Sequence, residues 1–548
     1  MFKLKYDLLI KNGNIIDVID NSDFYRPWHK LDIGIKDDRI VKVGNLELSE
    51  AKETIDATNL VVSPGFIDIH SHSDAYLIAN PKAESKIRQG VTTEVTGNCG
   101  MSAAPLGGKY KPSKSIIQDN IQTNWITMSD YLTQLEQSGS SVNVVPLVGH
   151  SNIRGAVMGY NSGVPSLKQL DQMKELLQEA IDAGVWGMSS GLIYPPGSLS
   201  AAEELIDLCK LVAKNGGVYH THIRGQGDRL LCATMEAIDV AEKSGVPLHI
   251  LHHKAMGDAN AAKIELTLPM IDDAINQGMN ITLDMYPYLA GQGGLAMFLP
   301  HWVHEGGPEK LVERLKDEKL RKKIRYQMIE PELVPGYQSY ARELGWQTCW
   351  DKILICNTSS KKNKDLVGQS IAKAKPDCKD SIDFVFDLMI EEQGDVPVII
   401  PDLIDIDDRY FQMVIRHPIT MFGSDGYALA TYGPLGEGSP HPRSYGCFPR
   451  VLGRLVRQRR LFTWKEAIRK MTYLPAKFLG IKDRGLIKEG MYADIVIFNP
   501  ETVIDNSTFS EPHQYPTGIN YVITNGTIVI QESKHTGKLP GRVLRHNN

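Results

Sequence analysis

The sequence predicts an α/β protein: a (β/α)8 TIM barrel, a small β-sandwich formed from both termini, and a long insertion between barrel strands seven and eight. Three observations predict it. Through the middle of the chain, short β-branched runs alternate with amphipathic helical stretches, the pattern of successive βα units. Both ends carry strand patterns with Asn-Gly turn signals. Residues able to bind metal or move protons recur at the ends of the predicted strands, where such barrels place their chemistry.

Taken in order, the N-terminal part alternates strands and turns. Asp7 to Val18 reads as strand, Asn-Gly turn, strand, and Leu31 to Val43 repeats the pattern. The barrel strands then run Ile67–His70, Val91–Thr96, Val144–Val148, Val185–Ser189, Val218–His222, Leu248–His252, Ile281–Tyr286 and Thr420–Gly423. Helices at Leu167–Ala183, Ala201–Lys214 and Leu230–Ser244 have apolar residues at three- and four-residue spacing. Between Tyr288 and His417 the rhythm breaks: a Gly-rich start, a charged helical stretch Glu309–Gln327, then two patches at Ile353–Cys356 and Ser381–Glu392. This is read as a lid over the barrel mouth, in which Lys361–Lys379 and the stretch after Val396 shape the pocket. A helix is predicted from Trp464 to Leu474, and the basic run Arg454–Arg460 before it is read as a solvated helix face. The C-terminus returns to strands, with an Asn-Gly hairpin in Tyr521–Ile530. The expected domains are 1–62 and 481–548 for the sandwich and 63–480 for the barrel, its insertion spanning about 291–400.

Bulk properties narrow the class. At 548 residues the chain exceeds one compact core. Sixty basic against 65 acidic residues give a net charge of −5, which favours neither nucleic acid nor an anionic membrane as partner. The first ten residues contain no apolar signal core, and no run is long enough to span a bilayer. Seven cysteines without a Cys-x-x-Cys pair point to free thiols in a reducing, cytoplasmic compartment.

The chemistry starts at His70 and His72. Two apart on a strand, they leave its end in one direction and suit a divalent metal such as zinc. Cys99, between Gly97 and Gly100 just past strand two, could offer a thiolate. His222 closes strand five, with His220 deeper in the core and Arg224 placed to brace it; His252 closes strand six, with His253 facing away and His249 structural. Asp425, after strand eight, can touch both a metal and its water, and so serve as general base and then acid. His150, after strand three, either lines the pocket or is a satisfied core histidine. Tyr286 alternates with Tyr288 and faces packing.

The runs Pro64-Gly-Phe-Ile-Asp-Ile-His-Ser-His, Gly97-Asn-Cys-Gly, Ser190-Gly-Leu-Ile-Tyr-Pro-Pro-Gly, His222-Ile-Arg, His252-His-Lys, Asp284-Met-Tyr-Pro-Tyr, Ser424-Asp-Gly and His441-Pro-Arg-Ser-Tyr-Gly resemble the amidohydrolase superfamily. Within it they resemble the N-acyl-D-amino-acid deacylases (D-aminoacylases), over nearly the whole chain. The resemblance implies one tight zinc at Cys99, His222 and His252 and a second, often weakly filled site at His70, His72 and Asp425. Strand four carries no Lys to bridge two metals, which fits Cys99 as the alternative ligand and argues against a hydantoinase-like arrangement. The implied reaction is hydrolysis of an N-acyl-D-amino acid, a small-molecule substrate. Its carboxylate would be gripped by Arg443, with Lys254, Tyr194 and Tyr288 in support. A D-residue dipeptidase and a cyclic-amide hydrolase remain as alternatives.

Overall fold

The computed structural model describes residues 5–16, 18, 28–46, 49–108, 110, 117, 121–334, 336–401 and 409–546. Residues 402–408, part of the stretch after Val396, therefore lie outside the described residues. Eight short strands organise the middle of the chain: β1 (Phe66–Asp68), β2 (Val91–Thr96), β3 (Asn143–Pro146, resumed at Val148–Gly149), β4 (Gly187–Gly191), β5 (Val218–His222), β6 (Leu248–Ile250), β7 (Ile281–Met285) and β8 (Thr420–Phe422). Each pairs in parallel with the next in chain order. The kink at Leu147 lets the first half of β3 pair with β2 and the second with β4. β8 and β1 share no strand ladder. The chain beyond them joins instead: the Asp425 amide donates to the His70 carbonyl at 2.7 Å and the His72 amide to the Gly426 carbonyl at 2.9 Å.

These strands are buried along their whole length, as expected of parallel strands covered on both faces. The helices between them follow the sequence closely. Leu167–Asp182 starts at a capping box formed by Ser166 and Gln169 and buries Met173, Leu177, Ala180 and Ile181 along one face. Leu230–Ser244 stops at Gly245, whose φ of 74° suits glycine.

A second sheet of nine strands takes its members from both ends of the chain. Val61–Pro64 joins the halves, parallel to Tyr6–Ile16 on one side and antiparallel to Ile495–Phe498 on the other. Here one expectation is corrected. Asn12-Gly13 is not a hairpin turn but an irregularity inside the single strand Tyr6–Ile16. The Asn12 amide donates to Asp32 at 2.8 Å, and a side chain at position 13 would meet Val62, so the strand continues. Asn525-Gly526, by contrast, does turn a hairpin between Ile519–Thr524 and Thr527–Gln531, both residues at positive φ. The last described residues leave this sheet and run beside β3, where the Leu544 amide donates to the Val144 carbonyl at 2.8 Å.

The segment between β7 and β8 has its own three-stranded antiparallel sheet (Ala290–Gly294, Pro397–Pro401, Leu354–Ile355) and its own apolar core around Phe298, Leu315, Met328 and Phe386. Ile193 and Met256, from the loops after β4 and β6, belong to that core and tie the segment to the C-terminal ends of the strands. The charged stretch within it is two helices rather than one. Asp317 ends Pro308–Lys316 and caps Glu318–Ile329 by accepting from the amides of Lys319 and Leu320.

The basic run is also more than a solvated face. Arg450 and Arg454 reach the buried Asp505 at 2.8 and 2.6 Å, and Arg457 donates to the carbonyls of Pro500 and Val503.

Candidate metal centre

Cys99 lies at the centre of the C-terminal strand ends. Its Sγ is 3.4 Å from His70 Nε2, 3.7 Å from His222 Nδ1 and 3.8 Å from His252 Nε2. Asp425 Oδ1 is 3.0 Å from His72 Nε2 and 3.4 Å from His70 Nε2. Two sets of donor atoms result, each within 4.8 Å: Cys99, His222 and His252, and His70, His72, Cys99 and Asp425. Zinc bonded to sulfur at about 2.3 Å and nitrogen at about 2.0 Å in a tetrahedron sets those donors roughly 3.5 Å apart. The separations of 3.7 and 3.8 Å in the first set come close to that spacing, and all its members are buried. The residues fit the ion.

The backbone is bent to deliver them. Cys99, His252 and Asp425 have φ of 52°, 32° and 50°, a region that costs a non-glycine residue roughly 1–3 kcal/mol and is held only where the surroundings impose it. Gly97 makes the turn to Cys99 possible: its φ is 77°, and a Cβ there would lie 2.1 Å from the Leu147 carbonyl oxygen. Gly97→Ala is therefore expected to destabilise the fold by about 1–3 kcal/mol, read as a lowered thermal midpoint; an unchanged midpoint would show that the turn tolerates a side chain.

Electrostatics prepare the donors differently. Burial alone would raise the Cys99 thiol, but the positive His70 and contacts from His252, His70 and His72 outweigh it and hold it well below the usual thiol range. Burial, with Lys254 beside His222 and His222 beside His252, pushes both imidazoles down, His252 to about 4. A thiolate and two neutral imidazoles are the ligand forms zinc takes. His70 and His72 go the other way. Burial opposes their charge, but Asp284, Asp425 and Cys99 raise His70 well above its ordinary value, and Asp425 with Cys99 raises His72 to about 9. Asp425, despite its burial, is held well below the usual carboxylate range by Arg443 first and the histidines next.

Behind the donors stand residues that sequence reasoning did not single out as supports. Asp284 of β7 lies 3.1 Å from His70 Nδ1 and 2.9 Å from His249 Nε2, and accepts the His252 amide at 2.8 Å. Gln226 Nε2 is 2.9 Å from His252 Nδ1. Asp284 opens the Asp284-Met-Tyr-Pro-Tyr run of the resemblance, and nothing local to it in the sequence shows which histidines it supports.

The remaining candidates fall in distinct places. Arg443 is buried with Nη1 2.6 Å from Asp425 Oδ2 and its guanidinium 4.8 Å over the Tyr286 ring. Lys254 approaches the same ring and bonds its hydroxyl. Tyr286 thus faces this cluster rather than packing alone. Tyr194 stands edge-on to His222, ring centres 5.2 Å apart. Tyr288 packs perpendicular to His441 at 5.1 Å, under the Arg450 guanidinium. His220 meets Asn98 at 2.9 Å, and His253 meets Thr267 at 2.9 Å. Arg224 is engaged by Glu236. His150 is buried, with Nε2 2.7 Å from Glu204, a carboxylate that Arg154 also contacts.

Comparison with known proteins agrees with this geometry. The amidohydrolase family matches residues 53–321 and 406–530. D-aminoacylase of Alcaligenes xylosoxydans xylosoxydans is 33% identical over 98% of this chain and 97% of its own length. N-acyl-D-glutamate deacylase of the same organism is 32% identical, covering 99% and 97%. The crystal structure of N-acyl-D-glutamate deacylase from Bordetella bronchiseptica, complexed with zinc and a phosphonate that mimics the tetrahedral intermediate, superposes with a TM-score of 0.82 at 31% identity, covering 99% of this chain and 100% of that one. With its two donor sets and full-length likeness to these enzymes, the chain belongs to the amidohydrolase family, among the D-aminoacylases and N-acyl-D-amino-acid deacylases.

Proposed function

We propose that this chain hydrolyses the amide bond of N-acyl-D-amino acids, releasing a carboxylate and a free D-amino acid, with zinc as its metal. The observation that carries the reading is the pair of donor sets joined at Cys99, with Asp425 among them. Cys99, His222 and His252 would hold the ion tightly; His70, His72 and Asp425 would form a second, weaker site. Protonation supports that ranking. The Cys99 thiol and the His222 and His252 imidazoles are all pushed toward their deprotonated forms, whereas His72 is raised to about 9. Below pH 9 an ion entering the second set must displace that proton. Its affinity there should rise roughly tenfold per pH unit for each proton displaced, while that of the first set stays flatter. Zinc competition titrations at pH 6, 7 and 8 check this; equal slopes would remove the distinction.

Bound zinc supplies Lewis-acid polarisation of the acyl carbonyl and lowers the pKa of a water toward about 7. Asp425, ionised and buried, accepts a proton from the attacking water and returns it to the leaving nitrogen. Arg443 and Lys254 grip the substrate carboxylate, both set against the Tyr286 ring, with Tyr194 beside His222 in support. Tyr288 supports Arg443 through His441, whose Nδ1 accepts the Arg443 amide at 3.0 Å. Around the site we read the wrapped parallel strands as a (β/α)8 barrel (63–480, with the insertion at about 291–400 as its lid) and the two-ended sheet as a β-sandwich (1–62 and 481–548). Seven free cysteines support a cytoplasmic setting; among the described residues no helix is long and apolar enough to cross a membrane.

The test is amine release from paired N-acetyl-D- and N-acetyl-L-amino acids (Met, Leu, Glu), with hydantoin alongside. Turnover of the D series alone is expected. Activity on hydantoin alone would move the chain to the cyclic-amide branch.

A further inference from the structure

We infer that Lys86 is a positioning residue for the reaction, its ammonium holding the His70–His72 segment and the Asp425 segment together across the seam between β8 and β1. The inference rests on the deacylase reading for its catalytic consequence.

At that seam no strand ladder is formed, yet the two segments must place His70, His72 and Asp425 within a few ångströms. Lys86, from the short helix Glu84–Ile87, has no exposed surface. Its Nζ is 2.7 Å from Asp68 Oδ2 and 3.3 Å from Glu94 Oε2, and donates to Ser424 Oγ at 2.6 Å. Asp68 then accepts from the Ser424 amide at 2.8 Å, the Ser424 hydroxyl at 2.5 Å and the His70 amide at 3.3 Å. Glu94 accepts from the Ser73 hydroxyl at 2.5 Å. The helix is docked on the same loop: the Ser85 amide donates to the Leu429 carbonyl and its hydroxyl to that of Tyr427, each at 3.0 Å.

Each arm of this network therefore ends on a candidate ligand or its neighbour: the His70 amide, Ser73 after His72, Ser424 before Asp425. One ammonium compensates two carboxylates in a dry site. Without it, Asp68 and Glu94 would face each other uncompensated, and the seam would have to open or take up protons. Charge pairs that merely stabilise a core have no need to converge on the flanks of three donor residues.

Lys86→Met and Ser424→Ala test the idea, with Ser424→Thr as the conservative control. Loss of a group that orients metal ligands typically costs 10–100-fold in affinity or activity. Both disruptive variants should lose kcat by about that factor with KM little changed. Zinc should leave the His70–His72–Asp425 set under a chelator that the Cys99–His222–His252 set withstands. Ser424→Thr should recover most of the kcat, and Ser424→Ala should lower the thermal midpoint only modestly and stay folded at the assay temperature. Wild-type kcat and zinc retention in both disruptive variants would overturn the inference, as would a Ser424→Ala loss that appears only as unfolding. Were the wild-type protein inactive on every N-acyl amino acid, the deacylase reading would fall. The zinc ratio would still decide Lys86: selective loss from the second set supports it, and unchanged retention overturns it.

Discussion

Asp425→Asn is expected to lower kcat by about 10²–10⁴-fold, the range contributed by a positioned general acid–base. The amide is nearly isosteric but cannot take a proton, so substrate binding should change far less than turnover. The surroundings of Asp425 keep it ionised, the form that can accept a proton: Arg443 Nη1 stands 2.6 Å from one oxygen and His72 Nε2 3.0 Å from the other. Those neighbours hold the carboxyl well below its usual range despite burial. A base with a depressed pKa is active above that value and is lost only as pH falls through it. The acid limb of kcat/KM that belongs to Asp425 should then lie below the ordinary carboxylate value of about 3.9. Arg443→Met, which removes the largest favourable charge, should move that limb to higher pH. Turnover within tenfold of wild type in Asp425→Asn would remove it as the base.

Cys99→Ser should be at least as damaging. Cys99 is shared by both donor sets, and its thiol is held well below the usual range, so it gives up its proton to a metal far more readily than a serine hydroxyl. Its loss should exceed the roughly 100-fold typical of an outer-shell partner. It should also abolish the rise in thermal midpoint that zinc gives the wild-type chain, since a ligand stabilises only the form that binds it. A variant that still gains stability from zinc would place the ion elsewhere.

Much of this was legible in the sequence because the signals are local. β2 and β5 run as their β-branched patterns predict, and Leu230–Ser244 follows its apolar spacing and stops at a glycine. His70, His72, Cys99, His222, His252 and Asp425, each read at a strand end, converge in space because parallel strands in chain order carry their C-terminal ends to one side. What was hidden depends on partners far along the chain. Asn12-Gly13 and Asn525-Gly526 look alike in sequence, yet Val62 and Asp32 keep the first in a strand. Asp284 serves His70 from 214 positions away. Lys86 sits in an ordinary helical turn, and only Ser424, 338 positions on, discloses its part. The partner of His150, Glu204, lies 54 positions along the chain and is equally invisible to local reading.

The most direct test is to strip the protein of metal and follow turnover of N-acetyl-D-methionine, against its L enantiomer, as zinc is added back to wild type and to Cys99→Ser. D turnover should return in the wild type as its first zinc binds, with the L enantiomer untouched and Cys99→Ser inactive throughout. Full turnover by the metal-free chain, or equal recovery in Cys99→Ser, would contradict a zinc centre built on Cys99.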